Sequence, residues 1–253
     1  MKPTSTLLRS VVAVALFVVA LPVFCADTAI WARGAVALPA RCEESKDLLA
    51  VEAPSRAARV EVRCAGLSAR RDRIVLRITA LHSDTLDIPI GVDPSPYWRP
   101  QEVLWAPNSS AFLVNGSENA YAGNAFIVHR LNSQGLIGVA LTAAAQSDMV
   151  KTFPPCKASY LNRSDCQRIA LDPQFNISAI AWTRDSNAVI VVAEVPCSSN
   201  YGGIMCQLMG YELEVPTGRI LNRMTARELK GRYQSRMAWA LRIPERPSFR
   251  QSR

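Results

Sequence analysis

One stretch of this chain is used twice. Val103-Leu104-Trp105-Ala106-Pro107-Asn108-Ser109-Ser110-Ala111-Phe112-Leu113-Val114 is echoed by Ile180-Ala181-Trp182-Thr183-Arg184-Asp185-Ser186-Asn187-Ala188-Val189-Ile190-Val191. Trp, Ser, Ala and Val coincide, Asn pairs with Asp, and the apolar positions keep step. An apolar strand ending in Trp, a polar Asn/Asp-Ser turn and a second apolar strand make a β-hairpin. Its duplication calls for a fold built from repeated β units.

The repeat extends past the hairpin. In the first copy a Gly-containing loop around Asn119, Tyr121 and Gly123 leads to the strand-like Ala125–Arg130. A turn at Asn132–Gly135 follows, then a returning strand, and Thr142 opens a run of good helix formers from Ala143 to Val150. The second copy keeps the order: a loop with Asn200, Tyr201 and Gly203, a strand Met209–Val215, a turn Pro216-Thr217-Gly218, a returning strand, and a helix from Thr225 through Tyr233. Thr225 with Glu228 has the spacing of a capping box. The spacing from turn Gly to helix-opening Thr is the same in both copies, Gly135 to Thr142 and Gly218 to Thr225.

These landmarks divide the chain. Residues 1–26 read as a signal peptide and 27–100 as a β-rich segment, where Arg59–Arg63 and Arg73–Ile78 alternate apolar and polar residues as half-buried strands do. Residues 101–151 form the first repeat and 152–177 a polar, proline-containing linker. Residues 178–243 form the second repeat, and 244–253 a basic tail. The expected class is mainly β, with antiparallel sheets in two repeats and a short helix after each.

The pattern of apolar strand, Trp, small residue, Pro or a variant, Asn/Asp, Ser and apolar strand resembles the repeats of TolB-type and WD-type β-propellers. The resemblance implies blade-like four-stranded units, with the Trp filling the space between sheets, and a binding or scaffold role. Closed propellers have at least four blades, whereas two copies are legible here. An incomplete or degenerate propeller is therefore the expectation, with an open arrangement of antiparallel sheets as the alternative.

The N-terminus carries Lys2 and Arg9 ahead of an apolar run from Val11 to Val23, then Phe24-Cys25-Ala26-Asp27. That order of positive, apolar and small residues is read as a secretory signal cleaved near residues 25 to 29. The run is short for a bilayer span, so no stable membrane insertion is expected after signal removal. Loss of residues 1–26 would lower the formal charge from +8 to +6 by removing Lys2 and Arg9. No Lys/Arg run of five or more occurs, and nucleic acid is not an expected partner.

Seven cysteines become six once Cys25 is lost. An even number in an oxidising compartment reads as disulfides, and proximity selects Cys42–Cys64, Cys156–Cys166 and Cys197–Cys206 among fifteen connectivities. No C-x-x-C pair is present, so no metal site and no cofactor are expected.

Catalytic signatures are lacking. The two histidines, His82 and His129, offer little choice of base, and carboxylates are scattered. The better candidates for binding are the matching loops, with Asn119, Tyr121, Gly123, Asn200, Tyr201 and Gly203, because rigid Tyr beside polar residues and Gly gives contact area at low entropy cost. Asn108, Asn115, Asn162 and Asn176 each begin an N-x-S glycan acceptor pattern. The expected role is a non-catalytic exported protein, periplasmic or extracellular, that binds a protein or cell-envelope component. An exported hydrolase with a dispersed site and a purely structural subunit are the alternatives.

Overall fold

The computed structural model describes residues 30–38, 49–64, 74–80, 86–89, 101–117, 124–132, 135–139, 141–154, 164, 166–167, 171, 173–197 and 204–238. They form three antiparallel sheets. The first contains β2 (Leu49–Glu52), β3 (Ala58–Cys64), β4 (Ile74–Ala80) and β5 (Leu86–Pro89), paired in chain order. The second contains β6 (Gln101–Trp105), β7 (Ala111–Ser117), β8 (Asn124–Asn132) and β9 (Gly135–Val139), with the short β1 (Val36–Ala37) added beside β6. The third contains β10 (Asn176–Trp182), β11 (Ala188–Glu194), β12 (Leu208–Glu214) and β13 (Ile220–Thr225). Helix α1 (Thr142–Thr152) follows the second sheet and α2 (Ala226–Tyr233) the third.

The two duplicated segments are hairpins, and their tips are closed in the same way. Ser109 donates to the Ala106 carbonyl and Ala106 to that of Ala111; Ser186 donates to the Thr183 carbonyl and Thr183 to that of Ala188. Each turn then places a serine in the left-handed region, with φ of 62° at both Ser109 and Ser186. A third hairpin repeats this between β2 and β3. Arg56 donates to Ala53, Ala53 donates to Ala58, and Arg56 has φ 58°. Its turn, Ala53-Pro54-Ser55-Arg56-Ala57-Ala58, shares Ala-Pro and the closing Ala with Ala106–Ala111 but lacks the Trp, since Glu52 stands there.

Alternation along each strand sends successive residues to opposite faces, and the sheets stack on those faces. Val103, Trp105, Phe112 and Val114 of the second sheet pack with Val51, Ala53, Ala58 and Val60 of the first. The intervening residues Ala106, Ala111 and Leu113, with Phe126 and Val128, pack with Ile177, Ala179, Val189, Val191, Tyr211 and Leu213 of the third sheet. Leu141, Ala145 and Met149 of α1 close that core. The third sheet's remaining face, with Ile180, Ile190, Val192 and Met224, is covered by Leu229 of α2, Met237 and the N-terminal residues Ile30 and Trp31. Gly210 permits the close seat of α2, because a Cβ there would lie 2.7 Å from Leu229 Cδ1 and 3.2 Å from its Cβ.

Two hydrogen bonds recur between successive sheets at equivalent positions. The Trp105 indole donates to the Val51 carbonyl at 2.9 Å, and the Trp182 indole to the Leu104 carbonyl at 3.2 Å. The Ser55 amide donates to Ser109 Oγ at 2.9 Å, and the Asn108 amide to Ser186 Oγ at 3.2 Å. The second and third sheets therefore each contribute one indole and one turn hydroxyl to the sheet before them. The first sheet has none described to grip, and it carries Glu52 and Arg56 at those two positions. Ala50, Glu52 and Arg59 are exposed on it.

The capping box at α2 is present, with Thr225 Oγ1 accepting from the Glu228 amide and Glu228 reaching back to the Thr225 amide. Its counterpart Thr142 acts differently. Its hydroxyl bonds the Phe126 amide and carbonyl at 3.1 and 3.0 Å, so it fastens α1 to β8 instead of capping it. The third sheet begins at Asn176, two residues inside the segment read as linker. Among the described residues no helix is long and apolar enough to cross a membrane.

Candidate functional site: a cationic cleft at the hairpin tips

A buried carboxylate behind the site holds the N-terminal strap that carries Arg33. Glu102, on β6, is fully buried and accepts from three consecutive amides: Ile30 at 2.7 Å, Trp31 at 3.1 Å and Ala32 at 2.8 Å. Asn115 Nδ2 donates to the same carboxylate at 2.8 Å. Burial pushes the Glu102 carboxyl above the usual carboxylate range, against the lowering effect of Asn115 and the three amides. Asn115 also bonds both polar groups of the Ala179 backbone, donating to its carbonyl at 2.8 Å and accepting from its amide at 2.9 Å. That contact lies at a bulge, where the pairing of β10 with β11 shifts between Ala179 and Ala181. One Glu-Asn pair thus ties the N-terminal strap, the second sheet and the third sheet together.

The strap continues as an isolated bridge from Ala32 to Met237, with the Arg33 amide donating to the Arg236 carbonyl at 2.8 Å and that of Ala238 to the Trp31 carbonyl. Arg33 is thereby set beside Arg236, which ends a 3-10 turn (Gln234–Arg236) after α2. Arg184 comes from the β10–β11 tip. The three arginines meet at a cleft of about 370 Å³ whose remaining lining is Leu104, Trp105, Pro107, Ile180, Ala181 and Trp182. No acidic residue is among the described residues lining it. An apolar, indole-edged floor bordered by the exposed Arg184 and Arg236 is suited to an anion carried on an apolar body.

The two tryptophans expected to pack between sheets do so. Trp105 is 8% exposed and rests against Phe112, ring centroids 5.1 Å apart, while Trp182 is half-buried. Each also lines the cleft, a second use that the sequence did not disclose.

The loop residues Asn119, Tyr121, Gly123, Asn200, Tyr201 and Gly203 lie outside the described residues, as do Cys42, Cys156 and His82. Cys197 and Cys206 are disulfide-bonded, nine residues apart, and Val195 pairs with Cys206 and Gln207 through backbone hydrogen bonds beside them. Cys166 is also disulfide-bonded. Cys64 closes β3.

His129 sits in β8 and stacks on Phe112, centroids 5.0 Å apart. Its Nδ1 is buried with no hydrogen-bond partner, and burial pushes the imidazole down to about 4. Asn115 cannot serve as a glycan acceptor in the folded chain, because its amide is fully buried and committed to Glu102 and Ala179. The N-x-S pattern at that position is a coincidence of a strand sequence.

On the far side of the same interface, Arg223 of β13 grips Asp148 of α1 through two bonds, Nε to Oδ2 at 2.9 Å and Nη2 to Oδ1 at 2.7 Å. The guanidinium holds Asp148 below its ordinary range, and burial together with Asp148 pushes the Tyr211 phenol up. This cluster clamps α1 to the third sheet. Among the described residues no group of three or more His, Cys, Asp or Glu could hold a metal ion. Comparison with protein families, curated proteins and solved structures finds no match to this chain.

Proposed function

We propose that this is an exported, non-catalytic β-repeat protein that binds a protein or cell-envelope component, with its sheets acting as propeller-like blades in an incomplete array. The observation that carries the reading is the cleft at the hairpin tips, where the exposed Arg184 and Arg236 border an apolar floor of Leu104, Pro107, Ile180 and Ala181. A charged rim over an apolar base is recognition chemistry. The recurrence of the indole and serine bonds favours blade-like packing. The Cys197–Cys206 bond is compatible with an oxidising, exported compartment.

The test is capture of a partner from envelope extract, using the wild type and the variant Arg184→Met/Arg236→Met at equal loading. Specific capture by the wild type that the variant loses supports the reading. A wild type that retains nothing above a bare-resin control overturns it.

A further inference from the structure

The sequence holds glycan acceptor patterns at Asn108, Asn115, Asn162 and Asn176, and the fold treats them unequally. We propose that Asn108 is a glycosylation site, which takes an N-linked oligosaccharide at the tip of the β6–β7 hairpin. The inference rests on the exported role proposed above and adds a modification to it. Three observations carry it.

First, the pattern Asn108-Ser109-Ser110 lies at the surface. Asn108 and Ser110 are both exposed, as is Pro107 before them. Second, the Asn108 carboxamide is arranged for the reaction. Its Oδ1 accepts from the Ser110 amide at 3.0 Å and from the Ser110 hydroxyl at 2.7 Å. A backbone amide can only donate, so the atom it meets is the oxygen, and Nδ2 is the group left over. Nδ2 has no hydrogen-bond partner among the described residues. Two bonds donated to Oδ1 polarise the conjugated amide and make the Nδ2 protons easier to lose. In the transfer, Nδ2 bonds to the anomeric carbon of an oligosaccharide carried on a lipid pyrophosphate. The sugar–phosphate bond breaks, the lipid pyrophosphate leaves with the electron pair, and one Nδ2 proton passes to a base of the transferase.

Third, the other described patterns are closed to a bulky polar group, which needs open surface. Asn115 is fully buried and committed to Glu102 and Ala179. Asn176 is half-buried in β10, its Nδ2 donates to Glu194 Oε2 at 3.3 Å, and Ser178, the hydroxyl of its pattern, is buried. Asn162 lies outside the described residues.

The test uses the full chain with its own N-terminus, secreted by a cultured eukaryotic cell line and collected from the medium. Chymotrypsin cuts after Trp105 and Phe112, which puts Asn108 on the peptide Ala106–Phe112, apart from Asn115. Peptide N-glycosidase in heavy-oxygen water turns an occupied Asn into a labelled Asp, read by mass spectrometry. Most of the Ala106–Phe112 peptide should carry the label, and the peptide with Asn115 should carry none. Ser110→Ala should abolish the label, and Ser109→Ala should keep it. Asn108→Gln should migrate faster than the wild type by the mass of one glycan, and circular dichroism melts establish that the variants remain folded.

An unlabelled Ala106–Phe112 peptide from a secreted chain that has lost residues 1–26 overturns the proposal and leaves export standing. Equal labelling without the enzyme arises from deamidation and overturns it too, as does a label that survives Ser110→Ala. A chain kept inside the cell with residues 1–26 still attached overturns the exported reading, and this site with it.

Discussion

The two interfaces between sheets share a design and differ in what is added to it. Both use an indole-to-carbonyl bond and an amide-to-serine bond at equivalent positions. Among the described residues, the interface between first and second sheets adds apolar packing, with the Phe112–His129 stack of the second sheet beside it. That between second and third adds Glu102 with Asn115 at one end and Asp148 with Arg223 at the other. The same recurring bonds thus join one interface whose described core is apolar and another pinned by the buried Glu102, Asn115 and Asp148. Buried polar groups cost desolvation and return specificity of position. The pinned interface is also the one that forms the cleft, through Leu104, Trp105 and Pro107 on one side and Ile180, Ala181 and Trp182 on the other.

The largest expected effect tests that pinning. Glu102→Leu leaves three amides and the Asn115 side chain without their acceptor, and each buried unsatisfied donor costs about 1–3 kcal/mol. Relief of the buried charge offsets part of this, so a net loss of about 3 kcal/mol is expected in urea unfolding. The strap should also exchange its amides faster from Ile30 to Ala32. An unchanged midpoint would mean that the carboxylate is not what fixes the strap. The native carboxyl also imposes a pH dependence. Its raised value means that the folded chain binds more protons than the unfolded one just above the ordinary Glu range, so stability from this group falls as pH rises through that window. The variant should lack that slope.

The apolar interface should respond to pH in the opposite sense. His129 is neutral in the fold down to about 4, whereas the unfolded imidazole protonates near its ordinary 6.5. The unfolded chain therefore takes up the proton first, and stability falls as pH drops from 6.5 towards 4. At about 1.4 kcal/mol per pH unit the loss reaches at most about 3 kcal/mol. His129→Phe keeps the stack on Phe112, removes the unpartnered Nδ1, and should flatten this acid limb while leaving stability at pH 7 equal or higher. A variant with the same acid limb as the wild type would place the titrating group elsewhere.

How much of this was legible depends on what each feature looks like in one dimension. The hairpins of the second and third sheets could be read because Trp105 and Trp182 mark them and the serine turns repeat. The β3 and β4 strands followed from their alternation, and Thr225 with Glu228 from the capping spacing. The first hairpin was missed for a physical reason. It has no described sheet before it to receive an indole or a turn hydroxyl, so Glu52 and Arg56 replace the residues that served as markers, and Ala53-Pro54 was the one signal left. The cleft was not legible at all. Arg33, Arg184 and Arg236 are scattered along the chain and meet only because Glu102 draws the strap across the sheets. Asn115 carried an acceptor pattern for glycans, and nothing local told it apart from a buried amide bonding Ala179.

The smallest expected effect gives the sharpest comparison, because it alters the shared bond alone. Trp105→Phe and Trp182→Phe each keep an aromatic ring and delete one indole donor, leaving a carbonyl short of its partner. A neutral hydrogen bond of this kind is worth about 1 kcal/mol. Trp105 is the more buried and makes the shorter bond, 2.9 Å against 3.2 Å, to an interface whose described core is apolar. Its loss should therefore be the larger and should appear as faster amide exchange in β2 and β3. Trp182→Phe should leave β10 protected, since Asn115 still bonds Ala179 on both sides and Arg223 still clamps Asp148. Equal losses with equal exchange would show that the polar ties add nothing to the shared bond, and the distinction between the two interfaces would then be one of composition without consequence for stability.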